Sequence, residues 1–167
     1  MAQTGLLLSI DTYLLSESQI MSDKELADLI SQGVEAVEDG DTAFGLVCLE
    51  KASMHYKAPI ICSYLAYCIA KERCQFEEAI SLCKEAMVEE PADSMHYLNL
   101  GRVYVVSGQK KEAIRMFRNG LLFEDNKLIR EELNRIGWRD LPPIPALGRE
   151  HSLNKYLGIV LKKLRLR

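Results

Sequence analysis

The stretch that decides the fold is residues 94–127, SMHYLNLGRVYVVSGQKKEAIRMFRNGLLFEDNK. The residues that carry its pattern are spaced as on helices: Tyr97, Leu100, Gly101, Tyr104, Ala113, Phe117 and Gly120. Gly108 lies between the two halves and predicts that one helix ends and another begins there. Small residues let two helices approach closely, and large ones fill the remaining space. The stretch therefore predicts two helices packed against each other.

The same pattern of residue sizes recurs at a constant spacing toward the N-terminus. Ala79 and Ala113 lie one period apart, and Gly33 and Gly101 lie two periods apart. One register covers three units without an insertion: 26–59, 60–93 and 94–127. Such a repeat predicts stacked helix pairs, because each pair has to bury its apolar face against the next.

This pattern resembles the tetratricopeptide repeat. The third unit carries Tyr97-x-x-Leu100-Gly101-x-x-Tyr104 and then Ala113-x-x-x-Phe117-x-x-Gly120. The second carries Ala79-x-x-x-Cys83-x-x-Ala86 and then Pro91. In the first, Gln32 and Lys57 replace the leucine and proline that are usual at those positions. The resemblance implies an all-α fold, a right-handed α-solenoid of three helix-turn-helix units within residues 23–126.

Residues that start and stop helices stand between the units. Ser22 and Glu25 have the spacing of a capping box, which predicts the start of the first helix. Gly40 is expected to end that helix, and Asp41 starts the next one. Pro91 separates the second and third units, and Asp93 is a candidate helix cap behind it.

The two ends predict further helices. Apolar residues recur at helical spacing within 1–22, which predicts an N-terminal helix. Residues 127–137 predict a helix that ends at Gly137 and covers the last repeat. The segment 138–167 begins with a Pro-rich strap and ends in a basic amphipathic helix from Leu153 to Arg167. Small bacterial tetratricopeptide-repeat proteins are similar in this ending.

Composition and charge narrow the class of protein. Hydrophobic residues make up 48% of the chain and charged residues 27%, as in an ordinary soluble domain. Residues 1–126 carry 11 basic against 20 acidic residues, whereas 127–167 carry 10 against 4. The basic end is expected to contact either the acidic body or an anionic partner. Five cysteines without a Cys-x-x-Cys pair, and a start unlike a signal peptide, predict a cytoplasmic protein with reduced thiols.

The resemblance also implies a binding surface. In tetratricopeptide repeats, the first helix of each unit lines a concave groove. The matching positions here are mostly apolar: Ile30, Val34, Ile61, Tyr64, Cys68, Met95, Leu98, Arg102 and Val105. An apolar groove of this kind is expected to bind an extended or helical segment. That segment is either the chain's own N-terminal helix or strap, or a partner peptide.

One subgroup of the family binds the C-terminal carboxylates of chaperones through Lys, Asn and Arg residues on this face. Asn99 and Arg102 are present, but aliphatic residues stand at most of the other matching places. Two polar residues do not make that clamp. The sequence therefore predicts that an apolar segment, not a carboxylate, is the ligand.

The sequence predicts neither catalysis nor a cofactor. It contains no Gly-rich phosphate loop, no nucleophile elbow and no metal-binding pair of histidines. Cys62, Cys68 and Cys74 are six residues apart and do not share a helix face, so no metal site is expected. Nucleic-acid binding is not expected, because the basic tail lacks interleaved aromatic residues. Peripheral contact of the tail with an anionic membrane stays open.

Two classes of function follow from these patterns. The first is a protein-interaction scaffold or adaptor that binds an apolar peptide segment in the concave groove. Type III secretion chaperones are similar in size and repeat number, and imply a translocated partner. The second class is a self-capped structural protein that forms homo-oligomers through its N-terminal helix or its tail. A binding groove has no obligatory chemistry, so the sequence does not name the ligand.

Overall fold

The computed structural model describes residues 21–137 and 151–163, which form eight helices. The helices, in chain order, are α1 (Asp23–Asp39), α2 (Thr42–His55), α3 (Pro59–Arg73), α4 (Phe76–Glu89), α5 (Ser94–Val106), α6 (Lys110–Phe123), α7 (Lys127–Arg135) and α8 (Ser152–Lys163). Helices α1 to α6 form three consecutive pairs. The third pair lies within the predicted unit 94–127, whereas the first pair begins three residues before the predicted unit 26–59 and the second begins one residue before 60–93.

Contacts between the pairs follow a regular order. Each helix packs on the next one along the chain from α1 to α6. In addition, α1 packs on α3 and α3 packs on α5, whereas α2, α4 and α6 do not contact one another. The first helices of the pairs therefore lie closer together than the second helices. This difference gives the stack a curved inner side, lined by α1, α3 and α5.

The small residues of the repeat allow close contact between paired helices. A Cβ atom added to Gly101 would overlap the ring of Phe117, which is fully buried. A Cβ atom added to Gly45 would lie 2.5 Å from the Cγ2 atom of Val37. These contacts confirm that the glycines and the large apolar residues of the pattern pack against each other.

Most helix ends lie where the sequence predicts them. Ser22 and Glu25 form the capping box of α1, with both reciprocal hydrogen bonds present. Asp41 caps α2 by accepting a hydrogen bond from the backbone N–H of Phe44, and Asp93 caps α5 through the N–H of Met95. Asn126 immediately precedes α7 and accepts hydrogen bonds from the N–H groups of Leu128 and Ile129.

The first two repeats share an apolar core. Its buried members come from α1, α2 and α3: Val37, Leu46, Leu49, Ala52, Ile61, Tyr64, Leu65, Cys68 and Ile69. All five cysteines are free thiols, and Cys48, Cys68 and Cys83 are buried. The other two differ, since Cys62 is half-buried and Cys74 is exposed.

The chain forms two compact units, one ending at Glu132 and the other beginning at Leu133. Helix α8 lies in the second unit and corresponds to the predicted amphipathic helix from Leu153 onward. Residues 1–20 of the predicted N-terminal helix, the strap 138–150 and residues 164–167 lie outside the described residues. None of the helices in the described part of the chain is long and apolar enough to cross a membrane.

Candidate interaction face

The inner face of the repeat stack carries the residues that the sequence predicts to bind a peptide. We use "inner face" for the residues at groove positions of α1, α3 and α5 together with Glu38. The structure brings all nine predicted residues onto these three helices. Their burial differs. Ile30, Val34, Met95 and Val105 are half-buried, whereas Ile61, Tyr64, Cys68, Leu98 and Arg102 are buried.

The buried members form the floor of the inner face. Ile61, Cys68 and Leu98 are 0% exposed, and Tyr64 is 2% exposed. Ile61, Tyr64 and Cys68 belong to the apolar core of the first two repeats. A partner therefore reaches these side chains only if the atoms that cover them move. The half-buried side chains are accessible without such a movement.

A network of charged residues crosses the inner face. The guanidinium of Arg102 on α5 donates two hydrogen bonds to the carboxylate of Glu38 on α1, at 2.9 and 2.8 Å. Its Nε donates a third to Glu132 on α7, at 3.1 Å. The hydroxyl of Tyr64 on α3 donates to Glu38 at 2.8 Å. The network therefore links all three repeats and the following helix.

Electrostatics hold this network in its ionised form. Burial by itself raises the pKa of Glu38, but the hydrogen bonds and positive charge of Arg102 outweigh it, so the pKa lies below its usual value. Burial likewise lowers the pKa of Arg102, but hydrogen bonds and charge from Glu38 and Glu132 raise it above its usual value. Arg102 also lies 5.4 Å from the ring centroid of Tyr67.

This network changes what the inner face can bind. The sequence places Arg102 in a groove whose residues are mostly apolar. In the structure, two carboxylates neutralise its charge, and its side chain is only 8% exposed. Glu38 lies at the C-terminal end of α1, and Glu132 lies on α7, after the last repeat. Their spacing from Arg102, 64 and 30 residues, does not single them out in the sequence.

A second polar cluster lies where α4 ends and α5 begins. His96 is fully buried, and its Nε2 atom lies 3.3 Å from Glu90 and 3.9 Å from Asp93. Its Nδ1 atom lies 3.0 Å from the hydroxyl of Ser63 on α3. Sequence reasoning did not identify this cluster. The signal was the spacing Glu90-x-x-Asp93-x-x-His96 around Pro91, which brings the three residues together at a chain reversal.

The buried cysteines have no features of a catalytic nucleophile. Burial raises the pKa of the Cys68 thiol to about 12, and it also raises the pKa of Cys48 and Cys83 above the usual value. Thiols with such pKa values are protonated at neutral pH, so they are poor nucleophiles. These cysteines act as small apolar core residues.

Solved structures show which fold this arrangement has. The first TPR of Spaghetti (RPAP3), bound to the HSP90 peptide SRMEEVD, has a TM-score of 0.53 and 19% identity, covering 69% of this chain and 94% of that one. The Arabidopsis OM64 TPR domain has a TM-score of 0.52 and 21% identity, and the match covers 68% of this chain and 95% of that one. The Sgt2 TPR domain from Aspergillus fumigatus has a TM-score of 0.51 and 19% identity, and the match covers 82% of this chain and 97% of that one.

These likenesses confirm the predicted all-α tetratricopeptide-repeat fold. At this level of identity they establish the fold and leave the ligand open. No protein-family model and no curated protein matches the sequence.

Proposed function

We propose that this chain, which has the fold of tetratricopeptide-repeat domains, is a protein-interaction scaffold that binds an apolar segment of another polypeptide on its inner face. The observation that carries this proposal is the set of half-buried apolar side chains on the first helices of the repeats: Ile30, Val34, Met95 and Val105. Apolar side chains that stay partly exposed on a recessed face are typical of peptide-binding sites.

The charge network favours an apolar ligand over an acidic one. The Spaghetti domain with the same fold holds an acidic HSP90 peptide, SRMEEVD. On the present inner face, Glu38 and Glu132 accept three hydrogen bonds from Arg102 and neutralise its charge. An acidic peptide at this position would be repelled by these two carboxylates, which costs free energy. The expectation that the chain has no carboxylate clamp therefore remains part of this proposal.

The test uses peptides selected from a random phage-displayed library on the purified chain. We expect the selected peptides to be rich in apolar residues and poor in Asp and Glu. Val34→Glu and Val105→Glu should each weaken their binding by about tenfold or more, because each places a charge at an apolar contact. Fluorescence anisotropy measures the affinities, and circular dichroism checks the fold.

Val88→Glu is the matched control. Val88 lies on α4, away from the inner face, and is 81% exposed, so its replacement should leave peptide binding unchanged. The peptide SRMEEVD should bind weakly or not at all. The proposal is wrong if SRMEEVD binds as tightly as the selected peptides, or if Val88→Glu weakens binding while both inner-face variants do not.

A further inference from the structure

We propose that Glu90, Asp93 and His96 form a binding site for one divalent transition-metal ion of the zinc class. The site lies at the junction of the second and third repeats, where α4 ends at Glu89 and α5 begins at Ser94. Each of the three side chains offers one ligand atom, and these atoms lie within 4.8 Å of one another. Three protein ligands with a water at the fourth position are a common arrangement around zinc.

The surroundings of His96 position its imidazole as a metal ligand. The hydroxyl of Ser63 donates to the carbonyl oxygen of Ile60 at 3.1 Å and accepts from the Nδ2 atom of Asn99 at 3.3 Å. Because a hydroxyl has one proton, His96 Nδ1 is then the donor in its 3.0 Å contact with Ser63. A neutral His96 in this arrangement directs the lone pair of Nε2 toward the two carboxylates.

This arrangement has the features that metal-binding histidines share. Their second nitrogen usually donates to a fixed oxygen, which sets the tautomer and the orientation of the ring. Here Ser63 supplies that oxygen, and burial of His96 fixes the ring. Nε2 and the two carboxylates converge, so a cation placed between their ligand atoms is attracted by both negative charges.

The two carboxylates complete the site. One oxygen of Asp93 accepts the N–H of Met95 at 2.8 Å, which fixes the side chain, while the other faces His96 Nε2 at 3.9 Å. Glu90 faces the same atom at 3.3 Å. Ligands about 2.0–2.2 Å from one zinc ion lie roughly 3–4 Å apart, which matches these separations. The Glu90 side chain is 52% exposed, so its side of the site is open to water ligands.

Charge and ligand type select the metal. Two carboxylates and a neutral imidazole carry two negative charges, which a divalent ion neutralises and a single proton does not. An imidazole ligand favours zinc, cobalt or nickel over magnesium and calcium. Binding would join the end of α4 to the start of α5 and stabilise the junction between these repeats.

The test measures binding of Zn²⁺ alone to the full chain, freed of metal by dialysis against a chelator. Calorimetry should show one equivalent bound. Glu90→Gln and Asp93→Asn should each weaken binding by about tenfold or more, since each removes a ligand charge. Glu89→Gln is the matched control, because Glu89 is exposed, adjacent in sequence and outside the trio. At the same concentration, Zn²⁺ should raise the melting temperature of the unmutated chain and of this control by more than that of Glu90→Gln.

Cobalt distinguishes this site from the cysteines. The Co²⁺ complex should lack the intense near-ultraviolet absorption of thiolate ligands, because the trio contains nitrogen and oxygen ligands only. Thiolate absorption would assign the ion to cysteines and overturn the proposal. Absence of stoichiometric Zn²⁺ binding, or full binding by both Glu90→Gln and Asp93→Asn, would also overturn the proposal.

Discussion

At the scale of single residues, one position of the repeat has a left-handed backbone in all three units, but only two of the units have glycine there. Gly40, Cys74 and Gly108 occupy the same repeat position in three successive units, and each follows the first helix of its unit. All three have positive φ angles, 94°, 56° and 77°. Glycine adopts this left-handed region without strain, whereas a side chain with a Cβ atom is strained there. Cys74 is therefore the strained member of the set.

We predict that Cys74→Gly stabilises the protein by about 0.5–1 kcal/mol, because relief of the left-handed strain exceeds the entropy that glycine adds to the unfolded chain. Urea unfolding monitored by circular dichroism measures this change. Gly40→Ala introduces the same strain at the equivalent position and should destabilise by about 1 kcal/mol. Equal stabilities for Cys74→Gly and the unmutated chain would contradict this explanation.

At the scale of helices, the sequence predicted the starts and ends well where a local signal exists. The capping box at Ser22, the positive φ of Gly40 and the end of the helix before Gly137 all follow from short-range chemistry. The second helices of the three units begin after Asp41, Gln75 and Gln109, which occupy one repeat position. Only Asp41 among these three accepts a capping hydrogen bond with its side chain.

This difference predicts unequal effects of the same substitution. Asp41→Ala should destabilise the protein by about 1 kcal/mol, because the N–H of Phe44 loses its acceptor. Gln75→Ala and Gln109→Ala should each change the unfolding free energy by less than about 0.5 kcal/mol, since neither side chain caps its helix. Chemical denaturation compares the three variants. Similar losses at all three positions would show that the cap contributes little.

At the scale of the whole repeat stack, the sequence predicted the register of the repeats but not the contacts between distant repeats. The pairing of Gly101 with Phe117 repeats with the period, so its spacing was visible. The ion pair of Glu38 and Arg102 occurs once and joins the first repeat to the third. A contact that occurs only once does not recur with the repeat, so the sequence pattern does not reveal it. For the same reason, the burial of Leu98 and Tyr64 followed from tertiary packing and not from their groove positions.

The ion pair predicts a pH-dependent effect of Arg102→Met. Near pH 7, this variant should lose about 3 kcal/mol of unfolding free energy, because Glu38 and Glu132 stay charged without the cation that neutralises them. The pKa of Glu38 in the folded protein is lowered, so the stability that the pair provides is present above the unfolded pKa of about 4.3 and is lost as pH falls through the folded value. The difference in unfolding free energy between the variant and the unmutated chain should therefore shrink toward about pH 3.

Arg115→Met is the control for this measurement. Arg115 pairs with Glu112 on the surface, with side chains 63% and 39% exposed, and such pairs contribute at most about 1 kcal/mol. Its effect should be small at every pH. A penalty for Arg102→Met that stays constant from neutral to acid pH would show that Arg102 contributes by packing alone.

The pattern of contacts between the helices also has a mechanical consequence. Successive repeats touch where α2 packs on α3 and α4 packs on α5, and also through α1, α3 and α5, while α2, α4 and α6 do not contact one another. The inner side therefore carries contacts between repeats that the outer helices do not make among themselves. A pull that straightens the stack stretches the inner side and loads the pair of Glu38 and Arg102, which spans two repeats there. Straightening of the stack is therefore expected to work against this ion pair.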